Sequence, residues 1–454
     1  MVKDLLEFTT NKEILSFIKK LESGISHKEV YFFGVNFWPV IRLHIAFTLI
    51  QKNQQIQSNR KNKSNKSFFK KHKSTEVLKK QNQLFISHDN YIVEIDGKSY
   101  DRVLEKIIQD SSSPIIFNLA DNSFYLNNSE KPFSDISKQV LIIKILSYVA
   151  GTVLRYFWIK KLKKLEILQT HERESRNSIV GGKSLSIRLC YIFFLSKYIS
   201  LLLKRYKINQ IYQGMYYDNF GLATSLASHN LGLVNNCVQH GGQSENNPAF
   251  GSWKVMSEMG YELLPDNFLC WDESSARSVD SWSINTSKHS SKVIGYGWMK
   301  LWKEDLSRKF NSVSRAPNNF SNVLVTLQPS VKIKDSFLYD FIKTSGLKVN
   351  WVLRVHPRQS SKAFIESIKE DFREVTNISI TSTKDPLPLL LIHSDLHITF
   401  FSSSVYEAKY CDIKSVIIDK RGLDYFPDLI ENGDVYLAFN AQDLKKMILE
   451  NTLE

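Results

Sequence analysis

The sequence predicts an α/β protein built from two doubly wound domains. Two regions carry this prediction, residues 186–297 and residues 322–451, because in both of them short apolar strands alternate with segments of helical period. Such alternation is typical of parallel βαβ units. At 454 residues the chain is also longer than one hydrophobic core usually supports. We expect one domain over residues 1–290 and a second over residues 291–454.

The first 180 residues have a less regular pattern. They open on "MVKDLLEFTTNKEILSFIKKLE", which mixes charged and apolar residues as an amphipathic helix does, so no secretory signal is expected. Residues 30–51 predict a short strand or turn that leads into a helix. Residues 82–110 predict a strand, a turn at Gly97 and an amphipathic helix, and residues 113–121 predict a further strand.

The alternating regions predict most of the regular elements. In the first region they are helix 186–205, strand 208–217, helix 219–232, strand 233–241, and strands 265–271 and 291–297. In the second region they are strand 322–329, helix 334–345, strand 350–357, helix 361–372, strand 378–381, helix 386–393, strand 396–401, helix 404–411, strand 414–419 and helix 441–451. Right-handed crossovers place the loops after parallel strands on one rim of the sheet, where ligands bind.

The positive charge of the chain is concentrated in one segment. The formal charge is +14, and residues 51–81 contribute ten Lys or Arg against the single acid Glu76. This segment lacks an apolar period, so it predicts a mobile loop, either a solvated insertion or a contact with an anionic membrane surface. Its only aromatic residues are Phe68 and Phe69, and no nucleic-acid motif is present, so no nucleic-acid partner is expected.

Two apolar stretches raise the question of membrane contact. Residues 139–158 are interrupted by Lys144 and Arg155, and residues 188–203 by Lys197, so neither is a clean span of about 20 apolar residues. Both predict buried helices or amphipathic surfaces that touch lipid headgroups. We favour a core helix for the second stretch and leave peripheral membrane contact open for the first. The four scattered cysteines predict reduced thiols in a cytosolic protein.

One group of candidate site residues follows strands of the first region. In "VQHGGQSENNP" the predicted strand ends at Gln239 and His240, and the two following glycines allow a ligand to approach the backbone closely. A strand-end imidazole titrates near neutral pH, so His240 is the preferred general base. Asp218, which follows the preceding strand, is an alternative base or orients the imidazole, and Glu245 is the third candidate. The loop alternatively binds substrate without catalysis.

A second group follows strands of the second region and predicts a phosphate pocket. It contains the end of "LRVHPR", the serine triplet of "FFSSSVYEA" and the glutamine of "LVTLQP". The residues are Arg354, His356, Pro357, Arg358, Ser402, Ser403, Ser404, Glu407 and Gln328. Hydroxyls and amides at a helix start, together with His and Arg side chains, suit phosphate oxygens. Glu407 either accepts from ribose hydroxyls or is a favourable carboxylate in a first helical turn. No metal is required for such a pocket, and no cofactor is expected.

These motifs carry a resemblance to a known family. The elements "QHG", "PDNFLCW", "VIGYG", "LVTLQP", "RVHP", "FFSSSVYEA" and "KSVIID", in this order over about residues 205–435, resemble the GT-B glycosyltransferases of bacterial capsule and surface polysaccharide synthesis. The His-Pro and Ser-Ser pair is similar to the signature of sialic acid and Kdo transferases, which use CMP-sugars. The His-Pro and His-Gly elements also resemble those of the polyol-phosphate polymerases that use CDP-glycerol. The acidic pair followed by glycine that holds the sialyltransferase base has no convincing match here.

The resemblance implies a GT-B-like fold, in which two Rossmann-type domains face each other across a cleft. It implies a nucleotide-sugar donor in the C-terminal domain, with His356 and Ser402–Ser404 at its phosphate. It places the base and the acceptor, a glycan or lipid-linked glycan, in the N-terminal domain. The expected protein is a cytoplasmic, inverting, metal-independent glycosyltransferase of capsule or lipopolysaccharide synthesis, with the inner membrane surface as a further partner. The alternatives are a CDP-glycerol or CDP-ribitol transferase and a non-catalytic capsule-assembly protein.

Overall fold

The computed structural model divides the chain into two compact units, Met1–Trp298 and Met299–Glu454. It describes residues 11–24, 30–57, 82–95, 97–112, 114–120, 123–127, 134–162, 183–254, 258–309, 320–329, 331–359, 361–382 and 385–452. The boundary expected between residues 290 and 291 falls at the start of the strand Ser290–Val293, which pairs into the sheet of the first unit.

The first unit is built on an eight-stranded sheet in the order β12-β11-β10-β9-β3-β6-β7-β8. The six strands from β12 to β6 are parallel, and β7 and β8 continue the edge antiparallel. Two antiparallel hairpins, β1 with β2 and β4 with β5, lie outside it. The bounds are β1 Tyr31–Phe32, β2 Val35–Asn36, β3 Asn82–His88, β4 Ile92–Ile95, β5 Lys98–Asp101, β6 Pro114–Ala120, β7 Ser123–Asn127, β8 Ser134–Asp135, β9 Ile208–Gln213, β10 Val234–Val238, β11 Asn267–Cys270 and β12 Ser290–Val293.

Local signals set the ends of the helices in this unit. The Asp218 carboxylate accepts from the backbone of Gly221 and begins one helix, which ends at Gly232 with φ +67°. Asp272 caps the next helix in the same way. The bounds are α1 Asn11–Gly24, α2 Trp38–Gln57, α3 Glu105–Asp110, α4 Ser137–Leu162, α5 Lys183–Arg205, α6 Asn219–Leu231, α7 Glu273–Ser283 and α8 Gly297–Glu304, the last of which crosses the division between the units.

Helix α5 lies between the sheet and helix α4. Its buried side chains, among them Leu189, Leu195 and Ile199, belong to the main core of the unit. Gly151 of α4 fits so closely against α5 that an added Cβ would lie 2.6 Å from the Ile187 Cα. The two helices therefore pack backbone to backbone, with α4 as the outer layer.

A buried ion pair joins the N-terminal helices to the loop after β10. Arg42 Nη1 lies 2.5 Å from Glu22 Oε1, and both side chains are almost fully buried. The guanidinium also donates to the carbonyl oxygens of Gly251 and Ser252 at 2.9 and 3.2 Å. It stacks over the Trp253 ring at 4.3 Å. Arg42 of helix α2 thus binds this loop at residues 251–253.

The second unit is a doubly wound sheet of six strands, all parallel, in the order β15-β14-β13-β16-β17-β18. Its strands are β13 Ser321–Thr326, β14 Val349–Arg354, β15 Ile378–Thr381, β16 Leu396–Thr399, β17 Ser415–Ile417 and β18 Val435–Leu437. Its helices are α9 Phe337–Thr344, α10 Lys362–Asp371, α11 Leu387–Ile392, α12 Ser404–Tyr410, α13 Gly422–Tyr425, α14 Pro427–Glu431 and α15 Ala441–Thr452. Its core contains Val323, Trp351 and Ile398.

The predicted α/β class with two Rossmann-type units is confirmed, because in both units helices pack on sheets that are wholly or mainly parallel. The expected GT-B-like cleft between the units stays a prediction. The prediction of an irregular segment from residue 51 is wrong at its start, since α2 continues through Gln57; residues 58–81 lie outside the described residues. The alternation did not predict α7, β18 or the antiparallel edge. Residues 188–203 form the core helix α5, whereas residues 139–158 lie on a surface helix.

We expect Arg42→Met to lower the free energy of unfolding of the first unit by about 3–5 kcal/mol, because the Glu22 carboxylate is then buried without its cation. Lys106→Met is the matched control. Lys106 pairs with Asp110 at 2.8 Å on an exposed helix face, so its loss removes about 0.3–0.5 kcal/mol. Urea denaturation of the full chain measures both changes. Equal, small effects would contradict a structural role for the buried pair.

Candidate functional site

Three neighbouring strands of the first sheet end in ionisable side chains. His88 ends β3, Asp218 follows β9 and His240 follows β10, and these strands are adjacent in the order β10-β9-β3. Because the strands are parallel and about 4.8 Å apart, all three residues lie on the same carboxyl edge. The sequence predicted Asp218 and His240 here, and the structure adds His88.

Asp218 lies against His88. The Asp218 Oδ2 and His88 Nε2 atoms are 3.5 Å apart, and the carboxylate remains 30% exposed while His88 is 11% exposed. Asp218 also caps α6, so its position is fixed by the helix. Desolvation raises the pKa of Asp218 above its usual value, while the His88 and Arg188 charges and two backbone amides act in the opposite direction. The carboxylate can therefore accept a proton more readily than an ordinary aspartate.

His240 lies in an aromatic surround. Its Nε2 shares a hydrogen bond of 2.9 Å with the Tyr217 hydroxyl, and its ring centroid is 5.5 Å from that of Tyr91 and 6.4 Å from that of Phe250. Burial, followed by the positive charges of Arg102 and His88, lowers the pKa of His240 to about 4. The imidazole is therefore neutral at physiological pH, and its pKa lies below the near-neutral value expected from the sequence.

The Tyr91 side chain is one of the aromatic neighbours of His240. Its hydroxyl is buried and has no hydrogen-bond partner among the residues that the structure describes. The absence of a Cβ at Gly214 makes room for the ring, because a Cβ there would lie 2.8 Å from it. Burial also raises the pKa of Tyr91, so the hydroxyl keeps its proton. A buried donor without a partner is costly, and a bound polar ligand would satisfy it.

The loop after His240 is held by its own polar groups. The Gln239 side chain accepts from the Trp271 amide at 2.7 Å and donates to the Gly241 carbonyl at 3.0 Å. Gln239 is therefore a structural residue of the loop. Glu245 is exposed and is not brought into contact with the His88, Asp218 and His240 side chains in the described structure; its backbone carbonyl accepts from Ser252 Oγ at 3.3 Å.

The second sheet also collects its predicted residues on one carboxyl edge. Strands β14, β13 and β16 are adjacent and lead to His356, Gln328 and the serine triplet, respectively. The Gln328 side chain accepts from the Phe401 amide at 2.8 Å, which ties the end of β13 to the start of the serine segment. The strands that lead to His356 and to the serines are therefore separated by β13 alone.

The three serines have different environments. Ser404 is buried, and its Oγ lies 3.1 Å from Thr326 Oγ1 and 3.3 Å from His397 Nε2. Burial lowers the pKa of His397 to about 3, so the network is neutral. Ser402 Oγ accepts from the Ser404 amide at 3.3 Å, and Ser403 is exposed with no side-chain capping bond. The Ser404 hydroxyl is hydrogen-bonded within the core, so Ser402 and Ser403 are the serines that remain at the carboxyl edge of the sheet.

The remaining predicted residues flank this edge. Arg354 ends β14, and its Nε donates to the Asp385 carbonyl at 3.4 Å. His356 is partly buried, and Pro357 is exposed at the start of a short 3₁₀ turn. Glu407 is partly buried in the first turn of α12. The Arg358 side chain lies outside the described part of the chain.

Sequence reasoning missed several residues at both edges. On the first sheet these are His88, Tyr91, Arg102 and Arg188; the signal was present in "ISHDNY", where a histidine ends an apolar strand. On the second sheet Arg421 follows β17, binds Asp419 at 2.6 Å and stacks over the Phe401 ring at 4.1 Å. The signal there was "IIDKRG", a strand that ends in charged residues.

We expect Ser404→Ala to lower the free energy of unfolding of the second unit by about 1–2 kcal/mol, because the buried Thr326 and His397 groups lose a partner. Ser403→Ala, one position away and exposed, is expected to change it by less than about 0.5 kcal/mol. Thermal and urea unfolding of the two variants measure the difference. Equal losses would show that the two hydroxyls do not differ in role.

No protein-family model matches the chain. No curated protein matches it either. Solved structures that resemble it include a UDP-GlcNAc 2-epimerase from Methanocaldococcus jannaschii, 13% identical with TM-score 0.47 over 81% of this chain and 92% of that one. Another is the UDP-GlcNAc 2-epimerase from Neisseria meningitidis bound to UDP-GlcNAc, 13% identical with TM-score 0.45 over 82% and 91%. A third is Arabidopsis thaliana UGT89C1, 10% identical with TM-score 0.38 over 58% and 68%. At these values the likeness carries no argument about function, and the fold assignment stands on the two sheets themselves.

Proposed function

We propose that the protein is an inverting glycosyltransferase that moves a sugar from a nucleotide-activated donor, with CMP-sugars favoured, to a hydroxyl of a glycan. The observation that carries this proposal is the difference between the two carboxyl edges. One edge presents a neutral imidazole and a carboxylate, which can accept a proton from an alcohol, and a buried tyrosine hydroxyl without a partner among the described residues, which can donate a hydrogen bond. The other presents hydroxyls, an imidazole and arginines, which suit phosphate.

The donor end of the proposal uses the second sheet. His356, Gln328 and the Ser402–Ser403 pair follow three adjacent parallel strands, so their side chains are candidates to bind one nucleotide phosphate group. Hydrogen bonds from these side chains and from Arg354 would stabilise the charge that develops as the nucleotide leaves. Arg421 and the Phe401 ring provide a stacked cationic surface beside them.

The acceptor end uses the first sheet. His240 removes the proton of the acceptor hydroxyl, the hydroxyl oxygen bonds to the anomeric carbon, and the bond from that carbon to the phosphate oxygen breaks. The nucleotide keeps the electron pair, and the imidazole keeps the proton until it exchanges with water. Asp218, held by His88, is the alternative proton acceptor. Transfer further requires the two edges to meet around one substrate pair.

The biological setting belongs to the same proposal. Nucleotide sugars are made in the cytoplasm, so we place the protein there, acting on a capsular or lipopolysaccharide glycan. A polyol-phosphate transferase would use the same phosphate contacts but direct the acceptor to phosphorus. The donor therefore has to be identified by experiment.

We expect one nucleotide among CMP, CDP, UDP and GDP to raise the melting temperature of the protein selectively, because a ligand that binds only the folded form stabilises it by RT ln(1 + [L]/Kd). His356→Ala should abolish this shift. His393→Ala is the matched control, because His393 precedes β16 and lies at the opposite edge of the same sheet. A shift that survives His356→Ala would remove His356 from the donor site.

Turnover separates the transfer reactions. The protein is incubated with a glycan acceptor and with CMP-sugars, UDP-GlcNAc, GDP-sugars or CDP-glycerol, and the released nucleotide is measured. Release of CMP from a CMP-sugar, with a glycosylated product, is the expected result. Release of CMP from CDP-glycerol identifies the polyol-phosphate reaction. No release with any donor, although a nucleotide binds, would argue for a non-catalytic protein.

We expect kcat/KM to be flat through neutral pH and to fall only as the pH approaches about 4. A base works in its unprotonated form, and the pKa of His240 is lowered to about 4, so protonation and loss of activity occur there rather than near 6.5. His240→Gln should reduce kcat by about 10²–10⁴. His229→Gln, at an exposed position of α6, is the control. An acid limb near 6.5 would assign the base to another group.

A further inference from the structure

Helix α4 exposes a continuous apolar face. Nine large apolar side chains along it are each more than half exposed: Leu141, Ile142, Ile145, Leu146, Tyr148, Val149, Val153, Tyr156 and Phe157. Their spacing of three and four residues places them on one side of the helix. Seventeen residues of helix span about 25 Å. This is far larger than the scattered apolar side chains of an ordinary surface, so the face is expected to contact something.

The opposite face of α4 is committed to the protein. Val140, Ile143 and Ser147 are buried, and Gly151 lies against the backbone of α5. Helix α5 is in turn packed into the core of the first unit. The helix therefore cannot rotate to bury its exposed side, and the apolar face is a fixed feature of the fold.

Charge identifies the partner. Helix α4, Ser137–Leu162, contains five Lys or Arg and no Asp or Glu. Lys138 and Lys144 are exposed beside the apolar face, Arg155 is partly exposed, and two further lysines follow at positions 160 and 161 of the helix. A second copy of the chain would bring like charges together across such an interface. An anionic phospholipid surface neutralises them, at about 1 kcal/mol for each basic residue near the lipid.

The aromatic residues fit the same partner. Tyr148, Tyr156 and Phe157 lie on the exposed face, and two of them are at its C-terminal end. Tyrosine combines an apolar ring with a polar hydroxyl and is enriched where lipid tails meet headgroups. A helix with apolar side chains on one side and basic residues at its flanks is the pattern of an interfacial helix.

The same packing decides between lying on a membrane and crossing it. Two helices of the described chain, Ser137–Phe157 and Ser184–Arg205, are long and apolar enough to cross a bilayer. However, α4 packs against α5, and α5 packs against the sheet. A sheet with unpaired polar edges cannot enter the hydrocarbon of a bilayer. The exposed face is therefore available to the surface of one leaflet only.

We propose that the exposed face of α4 docks on the surface of an anionic phospholipid bilayer, with the helix axis parallel to the membrane plane and its apolar side chains among the upper acyl chains. This inference does not depend on the proposed transferase reaction. A membrane-bound first unit would also meet acceptors that are anchored to lipid.

Flotation of the full chain with vesicles tests the docking. We expect binding to mixed phosphatidylcholine and phosphatidylglycerol vesicles to be at least about tenfold tighter than to phosphatidylcholine alone, and to weaken with salt. The triple variant Ile142→Glu, Val149→Glu and Val153→Glu should reduce it by about a hundredfold or more, because three charges would enter the apolar interface. Melting temperatures should not change, because all three positions are exposed.

The matched control introduces the same charge elsewhere. The triple variant Met259→Glu, Ile284→Glu and Val293→Glu replaces exposed apolar residues of the same unit, and Val293 lies on β12 at the far edge of the sheet. It should keep nearly all of the vesicle binding. Equal losses in both triple variants, or no binding of the unchanged protein to either vesicle, would overturn the proposal. A dimer in solution that only the α4 variant dissociates would instead make this face an interface between copies.

A depth measurement tests the orientation. A fluorophore is attached at Leu141→Cys or at Tyr156→Cys in a Cys411→Ser background, because the three other cysteines are buried. Quenching by brominated lipids should report the same shallow depth at both positions, which lie near opposite ends of the exposed face. Different depths at the two positions would mean that the helix inserts across the leaflet, and the parallel orientation would be wrong.

Discussion

The parallel pairing of the strands is the constraint on which the rest of this protein depends. In each unit the backbone hydrogen bonds join strands that run in the same direction, so their carboxyl ends, and the loops that follow, collect on a single edge. Residues that are far apart in the sequence, such as His88 and Asp218, come into contact only through this pairing. The two candidate binding edges are therefore consequences of topology before they are consequences of side-chain chemistry.

Burial then gives similar residues different properties. His240 and His397 both have lowered pKa values because protein atoms replace water around the imidazole. His397 is hydrogen-bonded to Ser404, Thr326 and Ser415 in the interior. Through Thr326 and Ser415 it links β16 to the neighbouring strands β13 and β17. His240 lies next to partly exposed groups at the carboxyl edge, together with a tyrosine hydroxyl that lacks a partner in the described structure. A neutral imidazole is structural in one place and suited to proton transfer in the other.

In helix α4 the apolar composition and the packing of the helix disagree. Its composition is apolar enough for a core helix, yet only one of its sides is buried, because α5 already covers the sheet and leaves α4 outside. The hydrophobic effect favours burial of the inner side against α5. No element of the described chain covers the outer side, which therefore stays in water. A surface of this type persists when a partner covers it, and the basic residues around it restrict the choice of that partner.

The sequence by itself determined the α/β class and most strands and helices, because alternating apolar runs and helical periods depend on neighbouring residues. It also placed His240, Asp218, His356 and the serines after strands. Tertiary structure alone decided which of these meet. It brought His88 to Asp218, and it turned Ser404 into the core while Ser403 and Glu245 stayed exposed, since strand order and side-chain burial depend on contacts between distant segments. It likewise exposed one face of α4, because the position of α5 is not encoded in the period of α4.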